Sequence, residues 1–590
     1  MKKIFENLNK GNILFVAYFA LIILGGLWLR LSIINFPIWY DEGCSIATAI
    51  NSFPFGINDY LWNHDLQHTP FYFYILHFIM QFFGDSEIVL RASSIVIGIA
   101  LLPLTYIVTE KLVSSKKVAL VAMLLMSVNT FQVLYSIEIR MYPYVMLLTL
   151  LSVNYLIDYD RKGDISSLVK LSIVNIVNPY FLTGSIVWNI AQFIIYTSYL
   201  DMKKADNKML KNYLVSCLVS SVFLIPYLIL IIHYAMVRST FLVTDLTKFE
   251  FINVVGLIQN LFSADPGHIH ETRHEDFVNT WQSFVLVFLP IIYMFIGLFN
   301  SLKEKEKLIH VILGTVALSF GIFTFLSSIG LIAFTGRYLI FIAPFIFILS
   351  AIGFRKFNKY HVAGFLLFYT VACCYSLYQS MLPYNSDPFV KLPDGNQRPV
   401  FNHYKDIAEF SLKSPADFVK KHTPGKDNLV IMPFASSVSF YYFKGDDMPR
   451  VMPLDLFFEV RNPNNSNLYS PEQQEAFKTQ NKYEVFQKII LSDKFISDNF
   501  VKYIKTELDK VPAGGYIVWV VYYSDNYAII PENQMKMIYS NIENVKNHAM
   551  TGMMSKFDVD LIKLISQQAN FIMKDRDASN QYFVFQKRVR

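Results

Sequence analysis

Charge is scarce in this sequence. Asp, Glu, Lys and Arg make up only 17% of the 590 residues, while 53% are hydrophobic. In the first two thirds the few charges cluster between runs rich in Leu, Ile, Val and Phe, each near the roughly 20 residues that cross about 30 Å of hydrocarbon. A soluble helical protein would break such runs with a polar face, so that class is excluded and a polytopic α-helical membrane protein remains. Cysteine is also rare. Cys44, Cys217, Cys373 and Cys374 are the four present, none follows residue 380, and none has metal-ligand spacing. An exported C-terminal region would therefore fold without disulfides. No small-residue cleavage site follows the Met1-Lys2-Lys3 opening and first apolar run, so that run reads as an uncleaved span rather than a signal peptide. Internal repeats and low-complexity segments are absent too. The net charge of +6 needs no nucleic-acid partner, because Lys and Arg fall where topology signals belong.

Topology follows from one short segment. Residues 70–83 are apolar but too short to span, so they are expected to lie as a helix in the outer interface. With that choice, spans fall near 12–34, 91–110, 118–135, 142–159, 165–181, 183–200, 212–235, 278–300, 308–329, 332–352 and 361–380. The basic clusters Lys111/Lys116/Lys117, Arg161/Lys162, Lys203/Lys204/Lys208/Lys211, Lys303/Lys305/Lys307 and Arg355/Lys356/Lys359 then all face inward, as the positive-inside rule requires. Letting 70–83 cross would turn all five outward. The expectation is about eleven transmembrane helices in residues 1–380, at the plasma membrane. Four segments then share the outer side: 36–90, the turn Tyr135–Tyr142, the loop 236–277 and everything after 380. Residues 381–590 change character and read as a soluble extracytoplasmic α/β domain. Strands are expected at 428–432, 516–523 and 582–585, and helices near 403–421, 471–491 and 559–573.

The outer side gathers the residues that suggest chemistry. Asp41 and Glu42, in Trp39-Tyr40-Asp41-Glu42, stand where the chain leaves the first span. Asp41 can cap a helix from Gly43 with Glu42 complementing its dipole, or it can act as a general base, and the two roles are compatible. In Trp62-Asn63-His64-Asp65-Leu66-Gln67-His68, two His four residues apart hint at a metal, but Pro70 argues for an extended turn that spoils ligand geometry. His68 is better placed to meet an anionic group. Glu138 and Arg140 are either a self-neutralising pair or functional. Arg337, beside Tyr338, and Arg30 lie at outer span ends, where each needs a partner or an anion. The loop Ser263–His274 carries a His cluster that is a weak metal signal. A base for an acceptor together with cations for a leaving phosphate suits transfer from a lipid-linked phosphate donor.

At these residues the sequence resembles the GT-C superfamily of membrane glycosyltransferases, most closely the family 39 relatives of protein O-mannosyltransferases and of the lipid A aminoarabinose transferase. The resemblance rests on Trp39-Tyr40-Asp41-Glu42, His68-Thr69-Pro70-Phe71-Tyr72, Gly84-Asp85-Ser86-Glu87 with Leu90-Arg91-Ala92-Ser93-Ser94, Tyr135–Tyr142, and Gly336-Arg337-Tyr338. It implies inverting transfer of a monosaccharide from a polyprenyl-phosphate donor to a hydroxyl of an envelope lipid, polymer or protein. It also implies that Asp41 is the base, supported by Glu42, that Glu138 and Arg140 are second-loop site residues, and that Arg337 is a phosphate-side cation. Thr69 stands where relatives commonly carry Pro, a departure that bears on His68 as a phosphate contact. No cofactor is implied beyond the lipid-linked donor, although a carboxylate pair facing phosphate can hold a divalent cation. The competing reading is a transporter or flippase of a lipid-linked anion, which inverted repeats and broken helices would favour. A receptor or scaffold whose tail does the work is the third.

Overall fold

The computed structural model describes residues 10–35, 38, 40–64, 68–203, 207–240, 292–293, 295–296, 299–300, 307–329, 336–381, 389–391, 397–399, 413–432, 441–445, 447–453, 470–473, 494–522, 556–576 and 580–589. The chain divides into two compact units. One comprises Met1–Phe36, Thr48–Ala235 and Asp245–Met381, and the other Pro37–Ala47, Met236–Thr244 and Leu382–Arg590.

The first unit is helical. Its helices are α1 (Lys10–Ser32), the end of α2 (Tyr40–Ala49), α3 (Phe55–His64), α4 (Phe71–Phe83), α5 (Glu87–Val113), α6 (Lys116–Val128), α7 (Thr130–Tyr135), α8 (Tyr142–Lys162), α9 (Ile165–Val177), α10 (Ile186–Met202), α11 (Asn207–Phe223), α12 (Ile225–Thr240), α13 (Lys307–Ser328), α14 (Ala343–Gly353) and α15 (Lys359–Met381). Among the described residues, Ile13–Ser32, Glu87–Val113 and Lys307–Ser328 are long and apolar enough to cross a bilayer, and a fourth span results if α11 and α12, bent by 49°, act together. The remaining segments read as spans are helical as well, except 278–300, which lies largely outside the described residues. Helix α3 is new. Trp62, Asn63 and His64 are helical rather than part of an extended turn.

Local chemistry fixes the helix ends. Ser86 caps α5 by accepting from the Val89 amide, Ser115 caps α6 through Val118, and Asp164 caps α9 through Ser167. At the other end of α5 the unfilled carbonyls take cationic partners: Arg161 donates to Lys111 O and Arg355 to Val113 O. Lys111 bonds Asp158 and Asn154 at 2.8 Å, and Lys203 meets Asp160 at 3.2 Å. Basic residues from the turns after α5, α8, α10 and α14 thus share one end of the bundle. Helix α14 is buried over its whole length, as befits a helix that is apolar all round. By contrast α1 exposes Leu14, Leu21, Leu24 and Trp28, and α11 exposes Leu218, Val222 and Phe223. An apolar surface of that extent suits lipid, not water.

The second unit is built on a five-stranded sheet of order β4-β3-β5-β7-β6, with β3 at Leu429–Met432, β4 at Arg450–Pro453, β5 at Tyr516–Tyr522, β6 at Ala569–Arg576 and β7 at Asn580–Lys587. Strands β4, β3 and β5 are parallel, whereas β7 pairs antiparallel with both β5 and β6. All four residues of β3 are buried, the unbroken apolar pattern of a central strand. Asn428 joins the starts of three strands. Its Nδ2 donates to Thr423 O and Pro424 O, its Oδ1 accepts from the Tyr516 amide at 2.7 Å, and its carbonyl accepts from the Arg450 amide at 3.0 Å. Helices cover Lys413–His422, Lys494–Asp509 and Lys556–Ser566, and a separate hairpin pairs β1 (Phe389–Lys391) with β2 (Gln397–Pro399). The helix expected over 559–573 ends at Ser566. From Ala569 the chain alternates and pairs with β7, so strand pairing overrides the helical pattern there. Most of 471–491 lies outside the described residues.

Candidate active site

Two turns of the first unit, each leading into a helix, build the candidate site. The turn 136–141 is held at its start by Ser136, whose Oγ donates to Gln132 O (2.6 Å) and accepts from Arg30 Nε (2.7 Å). Arg30 Nη1 donates in addition to Gly26 O at 2.9 Å and Ser127 O at 3.2 Å. The partner that Arg30 needed is therefore a hydroxyl and two carbonyls, which makes it a structural lock between α1, α6 and the turn. Gly98 on α5 permits this approach, since a Cβ there would stand 2.4 Å from Ser136 Cβ. Arg91 is likewise bonded, from Nη1 to Ile34 O at 3.0 Å.

Beyond that lock the turn tightens. The Arg140 amide donates to Glu138 O at 2.8 Å, and both side chains are buried. Arg140 Nη2 lies 3.1 Å from His68 Nε2. A guanidinium can only donate, so in this contact the ring nitrogen accepts. Ring contacts hold the two turns together. Tyr72 of α4 meets Tyr144 of α8 edge-on at 5.8 Å, and Tyr144 stacks on Phe181 at 5.4 Å.

Both turns open a helix whose first amides lack a side-chain cap: Pro70 before α4 and Met141 before α8. Helix N-termini carry unfilled N–H donors and the positive end of the dipole. With Arg140 and His68, these termini bring N–H donors and a guanidinium together in buried surroundings, the kind of donors that bind an anion such as phosphate. Helix α8 has 21 residues, a rise of about 30 Å, and runs from Arg140 at one end to the basic cluster at the other.

Of the residues singled out in the sequence, the structure brings together His68, Glu138 and Arg140. Arg337 and Tyr338 occupy the 3-10 turn Gly336–Ile342, which packs against α8, with the guanidinium 5.5 Å from the Tyr338 ring centroid. Asp41 and Glu42 belong to the second unit. They stand in the first turn of α2, which begins at Tyr40 rather than Gly43, so Asp41 complements the dipole instead of capping the helix. Glu42 is buried, and Ser45 Oγ donates to the Asp41 carbonyl at 3.1 Å. Sequence reasoning missed Gly98 and the role of Ser136. The signal was available in Gly98 itself, a small residue in an apolar helix, where close approach is the usual reason. The His cluster of the 263–274 loop lies outside the described residues, and among those described no three His, Cys, Asp or Glu side chains group as ligands.

No family model and no curated protein matches the chain by sequence. Solved structures do match in three dimensions. ArnT from Cupriavidus metallidurans in the apo state gives a TM-score of 0.53 at 12% identity, covering 97% of this chain and 97% of that one. The same protein bound to undecaprenyl phosphate gives 0.49 at 12% identity with the same coverage. The archaeal oligosaccharyltransferase AglB from Archaeoglobus fulgidus gives 0.44 at 13% identity, covering 96% of this chain and 74% of that one. At 12% identity the likeness to apo ArnT is one of architecture. The chain shares the overall fold of ArnT.

Proposed function

We propose that the protein is an inverting glycosyltransferase that moves a monosaccharide from a polyprenyl-phosphate donor to a hydroxyl of a cell-envelope acceptor. The observation that carries this reading is the buried Arg140–His68 pair beside two uncapped helix N-termini. Such a setting stabilises the charge that grows on a departing phosphate. In the proposed step the acceptor oxygen attacks the anomeric carbon, its proton passes to the Asp41 carboxylate, and the bond from that carbon to the phosphate oxygen breaks. Polyprenyl phosphate then leaves, held by Arg140 and by Arg337, while Glu42 supports Asp41. His68, Glu138 and Tyr338 line the donor side. In this reading residues 1–380 form the catalytic membrane domain. The basic end of the bundle faces the cytoplasm of a plasma-membrane protein, and residues 381–590 form an extracytoplasmic domain.

The test is release of polyprenyl phosphate by the purified full-length chain in lipid nanodiscs, supplied with polyprenyl-phosphate sugars and a hydroxyl acceptor extracted from envelopes. Product is expected from wild type and is lost in Arg140→Ala. Translocation of the donor without release would replace this reading with transport.

A further inference from the structure

Within the second unit, the stretch that carries Asp41 is held by one residue from far along the chain. The Ile38 amide donates to the Tyr442 hydroxyl at 2.7 Å, across 404 residues of sequence. Ile38 is fully buried, and its amide precedes α2, so no intrahelical carbonyl is available to it. A buried backbone donor needs a partner, and here Tyr442 supplies it. Asp41 follows only three residues later. The same association groups Pro37–Ala47 with Leu382–Arg590 as one compact body.

We propose that Tyr442 is a positioning residue for Asp41, and that the C-terminal domain serves the reaction by pinning the segment that carries the base. The inference rests on the reading of Asp41 as that base. The phenol ring also meets Tyr441 edge-on at 4.9 Å, and Tyr441 in turn carries Lys444 over its face at 4.5 Å. Tyr442→Phe keeps those ring contacts and deletes only the acceptor oxygen. An unpaired buried amide then loosens the first turn of α2, which costs alignment of the base without touching the donor phosphate.

The experiment compares wild type, Tyr442→Phe and Asp41→Asn, all full length in nanodiscs, by amide hydrogen exchange and by steady-state transfer. For Tyr442→Phe, exchange in the 37–47 peptides is expected to rise about tenfold, with β3 and β5 peptides unchanged. The kcat should fall about tenfold while the donor KM stays constant. Unchanged exchange at 37–47, faster exchange with unaltered kcat, or a general rise across the sheet would each overturn the proposal. Full turnover by Asp41→Asn refutes the base itself and with it the positioning role, although the exchange data would still report the pin.

Discussion

Gly98→Ala tests the lock that sets the 136–141 turn. A Cβ at Gly98 would stand 2.4 Å from Ser136 Cβ, 3.1 Å from Ser136 Oγ and 3.4 Å from Arg30 Nε. The nearest atom is attached directly to backbone, so relief requires the turn itself to move. Overpacking of this kind costs about 1–3 kcal/mol. Displacing Ser136 also breaks its 2.7 Å bond from Arg30 Nε, and a hydrogen bond to a charged group contributes about 1.5–3 kcal/mol. The sum is a loss of about 2.5–6 kcal/mol, reduced by whatever α5 gains in helix propensity, up to about 1 kcal/mol. Gly25→Ala is the matched control, because a Cβ there meets nothing within 4 Å and the same propensity gain is unopposed. Thermal unfolding of detergent-solubilised protein can be followed with a thiol-reactive dye, since Cys217, Cys373 and Cys374 are buried or half-buried. Gly98→Ala should melt well below wild type and Gly25→Ala at or slightly above it. Equal melting temperatures for the two variants would refute the argument that α5 and the turn are in forced contact.

Three further outcomes follow from the geometry. Asp41→Asn should reduce transfer by at least a hundredfold while donor binding, read by isothermal calorimetry, stays within about twofold. Arg140→Lys should keep the charge but lose the fork that reaches His68 at 3.1 Å, so donor affinity is expected to drop about tenfold, and further in Arg140→Ala. Asn428→Ala removes the side-chain bonds to Thr423, Pro424 and Tyr516, and the second unit should lose about 2–4 kcal/mol in urea unfolding. A loss below about 0.5 kcal/mol would show that the three strand starts hold without it.

Helix positions were legible in the sequence because apolar runs and flanking charges act locally. The boundaries at Ser86, Ser115 and Asp164 sit at residues able to cap, and Lys111, Arg161, Lys203 and Arg355 fall at one end of the bundle. The site was legible only in part. His68 and Arg140 lie 72 residues apart, and their pairing depends on the approach of α4 to α8 through Tyr72 and Tyr144, which no local pattern encodes. The strand at Ala569–Arg576 was hidden for a related reason. Its apolar residues fit helical spacing as well as alternation, and only the partner β7 decides between them. A helix beginning at Gly43 would let Asp41 act as its cap, one of the two roles open to it in the sequence. The helix begins at Tyr40, so the same carboxylate serves the dipole instead.

Among the described residues of the helical unit, the cations serve different ends. Lys111, Arg161, Arg355 and Lys203 hold helix carbonyls or carboxylates at one end of the bundle, where they stabilise termini. Arg30 and Arg91 are buried elsewhere and donate to carbonyls or to Ser136. Both therefore serve to hold α1 against its neighbours. Arg140 differs in the partner it meets. The Arg140–His68 contact fixes the direction of the guanidinium and with it the direction of its field. Burial strengthens that field, because the surroundings screen it less than water would. A guanidinium held by a ring nitrogen beside two uncapped helix starts is placed to meet an incoming phosphate, and Arg30, bonded to three oxygens, is placed to hold α1. This contrast is why the loss of Arg140 should act on donor binding, and the loss of Arg30 on stability.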